Sequence, residues 1–431
     1  MNNCWFHKAK LGIFIHYGIY AVNGIGESWS FYNGTISYED YMKQLDGFYA
    51  DKFHVSAWGD LIERSGAKYA VLTAKHHDGV ALFDTRFSDL SVVKKTPAKR
   101  DIVKEYAEEM KKRGIHLGFY YSLIDWSHKD YASVYAAGKV PDNPKEINPF
   151  TSPVDGKEDP EKWRRFLDFN NNQLRELLTN YGKVDLLWFD GDWERSAGQW
   201  GLPGFKDYLK SLNPDLIINS RLQGYGDYKT PEQGIPITRP EGDWEFCTTI
   251  NGSWGYQPRD NQYKSLSQIL RIFCDCISMG GNMLLDIGPR QDGTIDSRQE
   301  AILSGLGSWI REHEEAVYQT DEGIGTCYYL GGSTISADRE TLYLFVYDNP
   351  KESICLKGLC NLIKKITVLH SGKELPHEIH GGVPWFEIPG TTWIRLTADD
   401  CHDLVTVVKV ELEGKIKMYG SSGEAVTHNE T

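Results

Sequence analysis

Residues 68–85 read KYAVLTAKHHDGVALFDT. The run 69–75 is almost continuously apolar, without a clean alternation, until it meets Lys75 and then His76-His77-Asp78-Gly79. This is the texture of a strand buried on both faces in a parallel sheet, delivering polar groups at its C-terminal end. The same texture recurs at 11–16, 116–121, 184–190, 216–220, 244–248 and 282–287. Between these runs lie stretches with helical spacing of apolar residues, at 101–113, 161–179, 264–279 and 297–317, the first stopped by Gly114. Repeated strand–helix alternation implies a parallel sheet with crossovers. With seven or eight such units and no GxGxxG after the first strand, a (β/α)8 barrel is expected rather than a doubly wound sheet.

Beyond about residue 320 the texture changes. Short β-rich runs at 328–330, 342–347, 366–369, 393–396 and 404–412 are separated by Gly, Asn and Pro turns. They predict a C-terminal β-sandwich. The expected division is therefore a barrel over 1–322, a β-sandwich over 323–420 and a polar tail over 421–431. A length of 431 residues would suggest about three domains at roughly 150 residues each, so one large barrel plus a small domain is the economical reading.

The chain carries 47 Lys and Arg against 60 Asp and Glu, a formal charge of −13. This disfavours a nucleic-acid partner, which would select a basic patch. No apolar run approaches the ~20 residues of a membrane helix, and the start MNNCWFHKAKLGIFIHYG lacks the apolar region of a signal peptide. A cytoplasmic location without membrane contact is expected. The eight Cys form no CxxC pair, so reduced thiols are expected, with Cys247, Cys274 and Cys276 in the core. Aromatic residues make up 13% of the chain, a supply that suits both a large core and sites for sugars.

In a barrel of this class the active site lies at the C-terminal ends of the strands. Those ends carry His16, then Lys75-His76-His77-Asp78, Tyr120-Tyr121-Ser122, Trp188-Phe189-Asp190 and Ser220-Arg221, and a further run contains Trp244-Glu245. One histidine there is usually structural. Three histidines, an aspartate, an arginine and several aromatics on one rim are not explained by packing, because unpaired ionisable groups on apolar strands cost several kcal/mol. Two chemistries fit. Metal-assisted hydrolysis would use His16, His76, His77 and Asp190, but adjacent strand residues point to opposite sides and no His-x-His stands on the first strand. Glycoside hydrolysis by two carboxylates needs no cofactor or metal and employs the whole rim. A catalytically silent carbohydrate-binding protein would be marked by missing carboxylates, yet they are present.

The segments LGIFIHYGIYAV, KYAVLTAKHHDGVALFDT, KRDIV, HLGFYYSLIDW, VDLLWFDGDW and NGSWGY, followed by GGNMLLDIGPRQDG, resemble glycoside hydrolase family 29, the α-L-fucosidases. The resemblance extends to about Tyr318 and implies a (β/α)8-like barrel followed by a β-sandwich. It implies a retaining, exo-acting enzyme on fucosylated oligosaccharides or glycoconjugates. Asp190 matches the nucleophile, and His16, His76 and His77 match ligands of the fucose hydroxyls. Trp188 and Arg221 match further sugar contacts, and Glu27 in GESW an acidic ligand, although the family more often has Glu-Trp-Tyr there. One of Tyr120 and Tyr121 should face the sugar. The acid/base falls to Glu232 or Glu245, both of which match family patterns; a Glu at a strand end favours Glu245, family spacing from Arg221 favours Glu232. Trp254 is divided between pocket lining and core packing. Lys75 and Asp78 are expected to hold each other or the loop, Asp192 and Asp185 to be structural, and Gly280-Gly281 to permit close backbone approach. Linkage preference is left open, as is homo-oligomerisation.

Overall fold

A computed structural model describes residues 4–131 and 159–421; of the polar tail, all but Ser421 lies outside the described residues. Seven parallel strands form one curled sheet: β1 Leu11–Ile15, β2 Tyr69–Lys75, β3 His116–Ser122, β4 Leu186–Asp190, β5 Ile217–Ile218, β6 Glu245–Thr249 and β7 Asn282–Ile287. Their order is β5-β4-β3-β2-β1-β7-β6. The two edge strands are bridged by an irregular segment, 228–232, through parallel bridges Asn219–Tyr228, Lys229–Trp244 and Glu232–Cys247. This segment occupies the place of an eighth stave, so the barrel-like architecture expected from the alternation is present in irregular form.

The strand expected over 216–220 shrinks to two residues for a local reason. The Asn219 side chain takes both backbone groups of Phe189, accepting from its N–H at 2.8 Å and donating to its carbonyl at 2.9 Å. A side-chain amide thus replaces the ladder where β5 would have continued. The curled sheet encloses Phe14, Tyr69, Val71, Tyr120, Leu186, Trp188, Cys247 and Leu284. The alternate residues, such as Leu72, Tyr121, Leu187, Phe189 and Leu285, pack outward against the helices. Gly12 is needed inside, because a Cβ there would lie 2.3 Å from the Tyr69 ring.

The expected helices appear as Ile102–Arg113, Pro160–Asn180, Leu266–Ser278 and Ser297–Glu312, the last followed by Glu314–Val317 after a break at His313. Asp101, Asp159, Ser265 and Asp296 cap their N-termini with side-chain acceptors. Among the described residues no helix is long and apolar enough to cross a membrane, and Cys247, Cys274 and Cys276 are buried free thiols.

The C-terminal part is two antiparallel sheets. One has the order β12-β15-β10-β9-β8 and the other β11-β14-β13, with β8 Thr320–Glu322, β9 Gly332–Ser336, β10 Thr341–Val346, β11 Ser353–Leu356, β12 Ile363–Val368, β13 His377–His380, β14 Thr391–Arg395 and β15 Thr406–Leu412. The stretch 328–330 is a turn and not a strand, following Gly325 in the left-handed region at φ +81°. Alternation makes the five-stranded sheet a shared wall. Tyr343, Phe345, Val405 and Val407 belong to the barrel's core, whereas Leu342, Leu344, Val408 and Val410 face Ile354, Leu356 and Ile394 of the smaller sheet.

Candidate active site

The C-terminal ends of the strands converge on a cavity of about 250 Å³. His16, Glu27, His76, Tyr120, Trp188, Asp190, Arg221, Glu232 and Trp254 line it, together with Phe14, Trp29 and Trp193.

Asp190, the last residue of β4, is held from two sides. Arg221 donates to Oδ1 at 2.9 Å and the Tyr120 hydroxyl donates to Oδ2 at 3.1 Å. His77 Nε2 stands 3.6 Å from the same Oδ2. The second arm of Arg221 donates to Glu232, so one guanidinium joins the two carboxylates. Its charge is reinforced: burial opposes it, but Asp190 and then Glu232 more than offset that cost. The guanidinium also lies 4.7 Å over the Trp188 ring, which Tyr120 stacks against.

Each histidine is oriented by a partner behind it. Ser122 Oγ donates its one hydrogen to the Ile124 carbonyl, so the 2.6 Å contact to His77 Nδ1 is a bond that the ring donates. The Nε2 of His77 is thereby the unprotonated nitrogen, turned to Asp190, while His77 itself is buried and is not one of the lining residues. Ser28 Oγ accepts from the Asp78 N–H and has its own hydrogen for His76 Nδ1 at 2.6 Å, which leaves Nε2–H of His76 as a donor. His16 Nδ1 lies 2.6 Å from Asp286 Oδ1. Burial pushes the Asp286 carboxyl well up and the His16 imidazole well down, so it opposes charge on both partners of this bond. Burial likewise lowers His76, and lowers His77 to about 3. Three neutral rings can hold hydroxyl groups without competing for the charge on Asp190. Glu27 is buried and accepts from the Gly255 N–H, tying the loop after β1 to the loop carrying Trp254; burial raises its pKa against that bond.

Two residues expected near the chemistry are elsewhere. Tyr121 faces outward, and its hydroxyl bonds Asn170 at 2.9 Å and Gln173 at 2.8 Å on the helix Pro160–Asn180. Tyr120 is therefore the tyrosine in the cavity. Glu245 does not end its strand but opens β6. Its carboxyl is buried beneath Trp188, accepting from the Trp188 indole at 2.9 Å, from Tyr69 at 2.6 Å and from Tyr228 at 3.4 Å. Burial raises it to about 7 despite these three donors and Arg221. It is a prop under the Trp188 ring and not part of the cavity wall.

Lys75 pairs with Asp125 at 3.3 Å and not with Asp78, which accepts from Tyr41 at 2.7 Å. Asp192 accepts from the Gln223 N–H and Asp185 from the Leu117 N–H, both structural contacts. Gly281 faces the Trp244 ring, where a Cβ would come within 2.4 Å. Sequence reasoning missed Asp286, Trp29 and Trp193. Asp286 carried a usable signal, a lone carboxylate near the C-terminal end of the apolar run NMLLDI. Trp193 follows Asp190 by three residues and stacks parallel to Trp29 at 6.2 Å, at the cavity mouth; no period or spacing marks either ring. Among the described residues, no three His, Cys, Asp or Glu side chains are arranged to hold one ion.

The chain is similar in sequence and fold to proteins already described. A family model, Alpha-L-fucosidase, matches residues 1–315. The tissue alpha-L-fucosidase of Macaca fascicularis is 33% identical over 421 residues, covering 89% of this chain and 82% of its own. The alpha-L-fucosidase of Dictyostelium discoideum is 26% identical, covering 82% and 79%. Among solved structures, alpha-L-fucosidase isoenzyme 1 from Paenibacillus thiaminolyticus superposes with a TM-score of 0.83 at 32% identity, over 95% of this chain and 98% of its own. An alpha-L-fucosidase from Bacteroides thetaiotaomicron, described as a trapped covalent intermediate with 2-fluoro-fucosyl fluoride, superposes at 0.80 with 26% identity, over 95% of each chain.

Proposed function

The chain belongs to the alpha-L-fucosidase family, and from that premise we propose how its pocket divides the work. The enzyme is a retaining α-L-fucosidase that acts on fucosylated substrates. The observation that carries the assignment of roles is the Arg221 bridge between Asp190 and Glu232 on the wall of a monosaccharide-sized cavity.

Asp190 attacks C1 of the fucosyl unit, and the bond from C1 to the departing oxygen breaks as Glu232, which enters this step in its protonated form, gives that oxygen its proton. The product of this half-reaction is an ester between C1 and Asp190. Water then attacks C1 while passing a proton to Glu232, and the Asp190 carboxylate leaves. Two inversions at C1 give retention. Arg221 and Tyr120 hold Asp190 at the angle of attack, which supplies part of the rate by orientation alone. The neutral rings of His16, His76 and His77 receive the hydroxyl groups, with Glu27 alongside. Phe14, Trp188 and Trp254 give the 6-deoxy sugar the apolar wall that its methyl group requires.

The test is the hydrolysis of 4-nitrophenyl α-L-fucoside by single variants. Asp190→Ala should lower kcat by at least about a thousandfold, without rescue of the retained product by added azide. Glu232→Ala should keep much of its first step on this activated leaving group, and azide should accelerate its turnover to give fucosyl azide. Near-normal activity of Asp190→Ala would remove the nucleophile, and azide rescue of a Glu245 variant in place of Glu232→Ala would exchange the two glutamates.

A further inference from the structure

A second concave surface lies far from the barrel's strand ends in the layering of the fold, on the outer face of the three-stranded sheet. Alternation along β14 buries Thr392 and Ile394 and turns Trp393 and Arg395 outward. Register brings Glu378 of β13 directly beside Trp393, and Ser353 of β11 beside Arg395. With His380 these residues line a cavity of about 500 Å³, twice the 250 Å³ of the catalytic pocket. Trp393 is 40% exposed at its centre, and Trp385, at the tip of the β13–β14 hairpin, is 80% exposed.

We propose that this face is a second carbohydrate site that takes a neutral oligosaccharide of more than one sugar unit. The flat apolar surface of this indole matches the C–H face of a sugar ring, and it stands in a concave lining that is otherwise polar. The surrounding groups select a neutral ligand. Glu378 sits 3.1 Å from His380 and 3.6 Å from Arg395, and Glu352 adds a second carboxylate to the lining, so the face disfavours an anionic ligand and presents a mixed set of donors and acceptors. Their remaining donors and acceptors are available to hydroxyl groups on either side of the ring. A second copy of the chain is a poorer occupant, because the cavity is concave and its lining is polar apart from one indole. The site stands on its own geometry, whereas its use, holding the glycan from which fucose is removed, rests on the fucosidase reading above.

The experiment titrates the full chain, by calorimetry, with fucose-free neutral oligosaccharides of four to six units built on glucose, xylose, mannose, galactose or N-acetyllactosamine. At least one should bind saturably and remain bound when free L-fucose fills the catalytic pocket. Trp393→Ala should weaken that binding about tenfold or more, Trp393→Phe should lose less, and both should hydrolyse 4-nitrophenyl α-L-fucoside within about twofold of the parent, which also shows that they are folded. The proposal is overturned if no oligosaccharide binds, if binding survives Trp393→Ala, if L-fucose displaces the ligand, or if Trp393→Ala instead converts a dimer to a monomer. Cleavage of the aryl fucoside without oligosaccharide binding refutes the second site alone; binding without cleavage refutes the fucosidase reading alone.

Discussion

Glu245 and Glu232 are the same side chain in opposite surroundings. Glu232 is about one-third exposed on the cavity wall and salt-bridged to Arg221. Glu245 is fully buried and holds the indole of Trp188 from below. Its carboxyl titrates near 7 in the fold against 4.5 when free. Between those values the unfolded chain releases a proton that the folded chain keeps, so this group lowers stability as pH rises from about 4.5 to about 7 and adds nothing further above that. In Glu245→Gln the dependence should vanish: thermal melts of parent and variant should diverge in the parent's favour at pH 5 and converge or cross by pH 7.5. The same variant should raise KM more than it lowers kcat, since it loosens Trp188 without touching a reacting atom. The two glutamates were not separated in the sequence: the strand was read as 244–248, which already sets Glu245 near its entrance, yet the residue was weighed with the strand-end groups of the rim. Starting one residue after Trp244, the strand puts Glu245 at its entrance and reverses the argument.

The element that decides the site is the irregular segment 228–232. It bridges β5 and β6 and carries Glu232 at its end. The Lys229 carbonyl accepts from the Glu245 N–H at 2.8 Å and the Pro231 carbonyl from the Cys247 N–H at 3.1 Å, so the carboxylate is mounted on the barrel wall and not on a free loop. Entry into this segment passes Gly226, where a Cβ would lie 2.0 Å from the Asn219 carbonyl oxygen. Gly226→Ala must push the segment off β5. It should cost about 2 kcal/mol in denaturant titrations and lower kcat on an aryl fucoside, although it touches no ligand; unchanged kcat with full stability would show that the segment does not set the position of Glu232. The regular strands were legible because apolar runs such as 69–75 and 282–287 match their elements end to end. Segment 228–232, YKTPE, has neither an apolar run nor a period, and its pairing depends on Asn219 having closed β5 early. A site built partly on such a piece shows itself only after the long-range pairing is known.

For the whole molecule, the five-stranded sheet is one wall with two owners. Phe345 packs 6.3 Å from Trp309, whose indole donates to the Val405 carbonyl at 2.9 Å, whereas its neighbours Leu344 and Val346 belong to the outer core. Barrel and sandwich should therefore unfold together. Phe345→Ala is expected to cost about 3–4 kcal/mol and to lower the temperature of a single calorimetric transition; two separated transitions would show that the layers are energetically independent. The chain's formal charge is −13, and the Arg221 bridge shows how the proposed cycle leaves that total unchanged. In the proposed cycle Asp190 ceases to be an anion when it becomes an ester, and in the same step Glu232 becomes one. The negative charge passes from one arm of a fixed guanidinium to the other and returns in the second half-reaction. Because Arg221 touches both carboxyl groups, the moving charge keeps the same counter-ion through the cycle, and neither half-reaction leaves the guanidinium without an anion beside it.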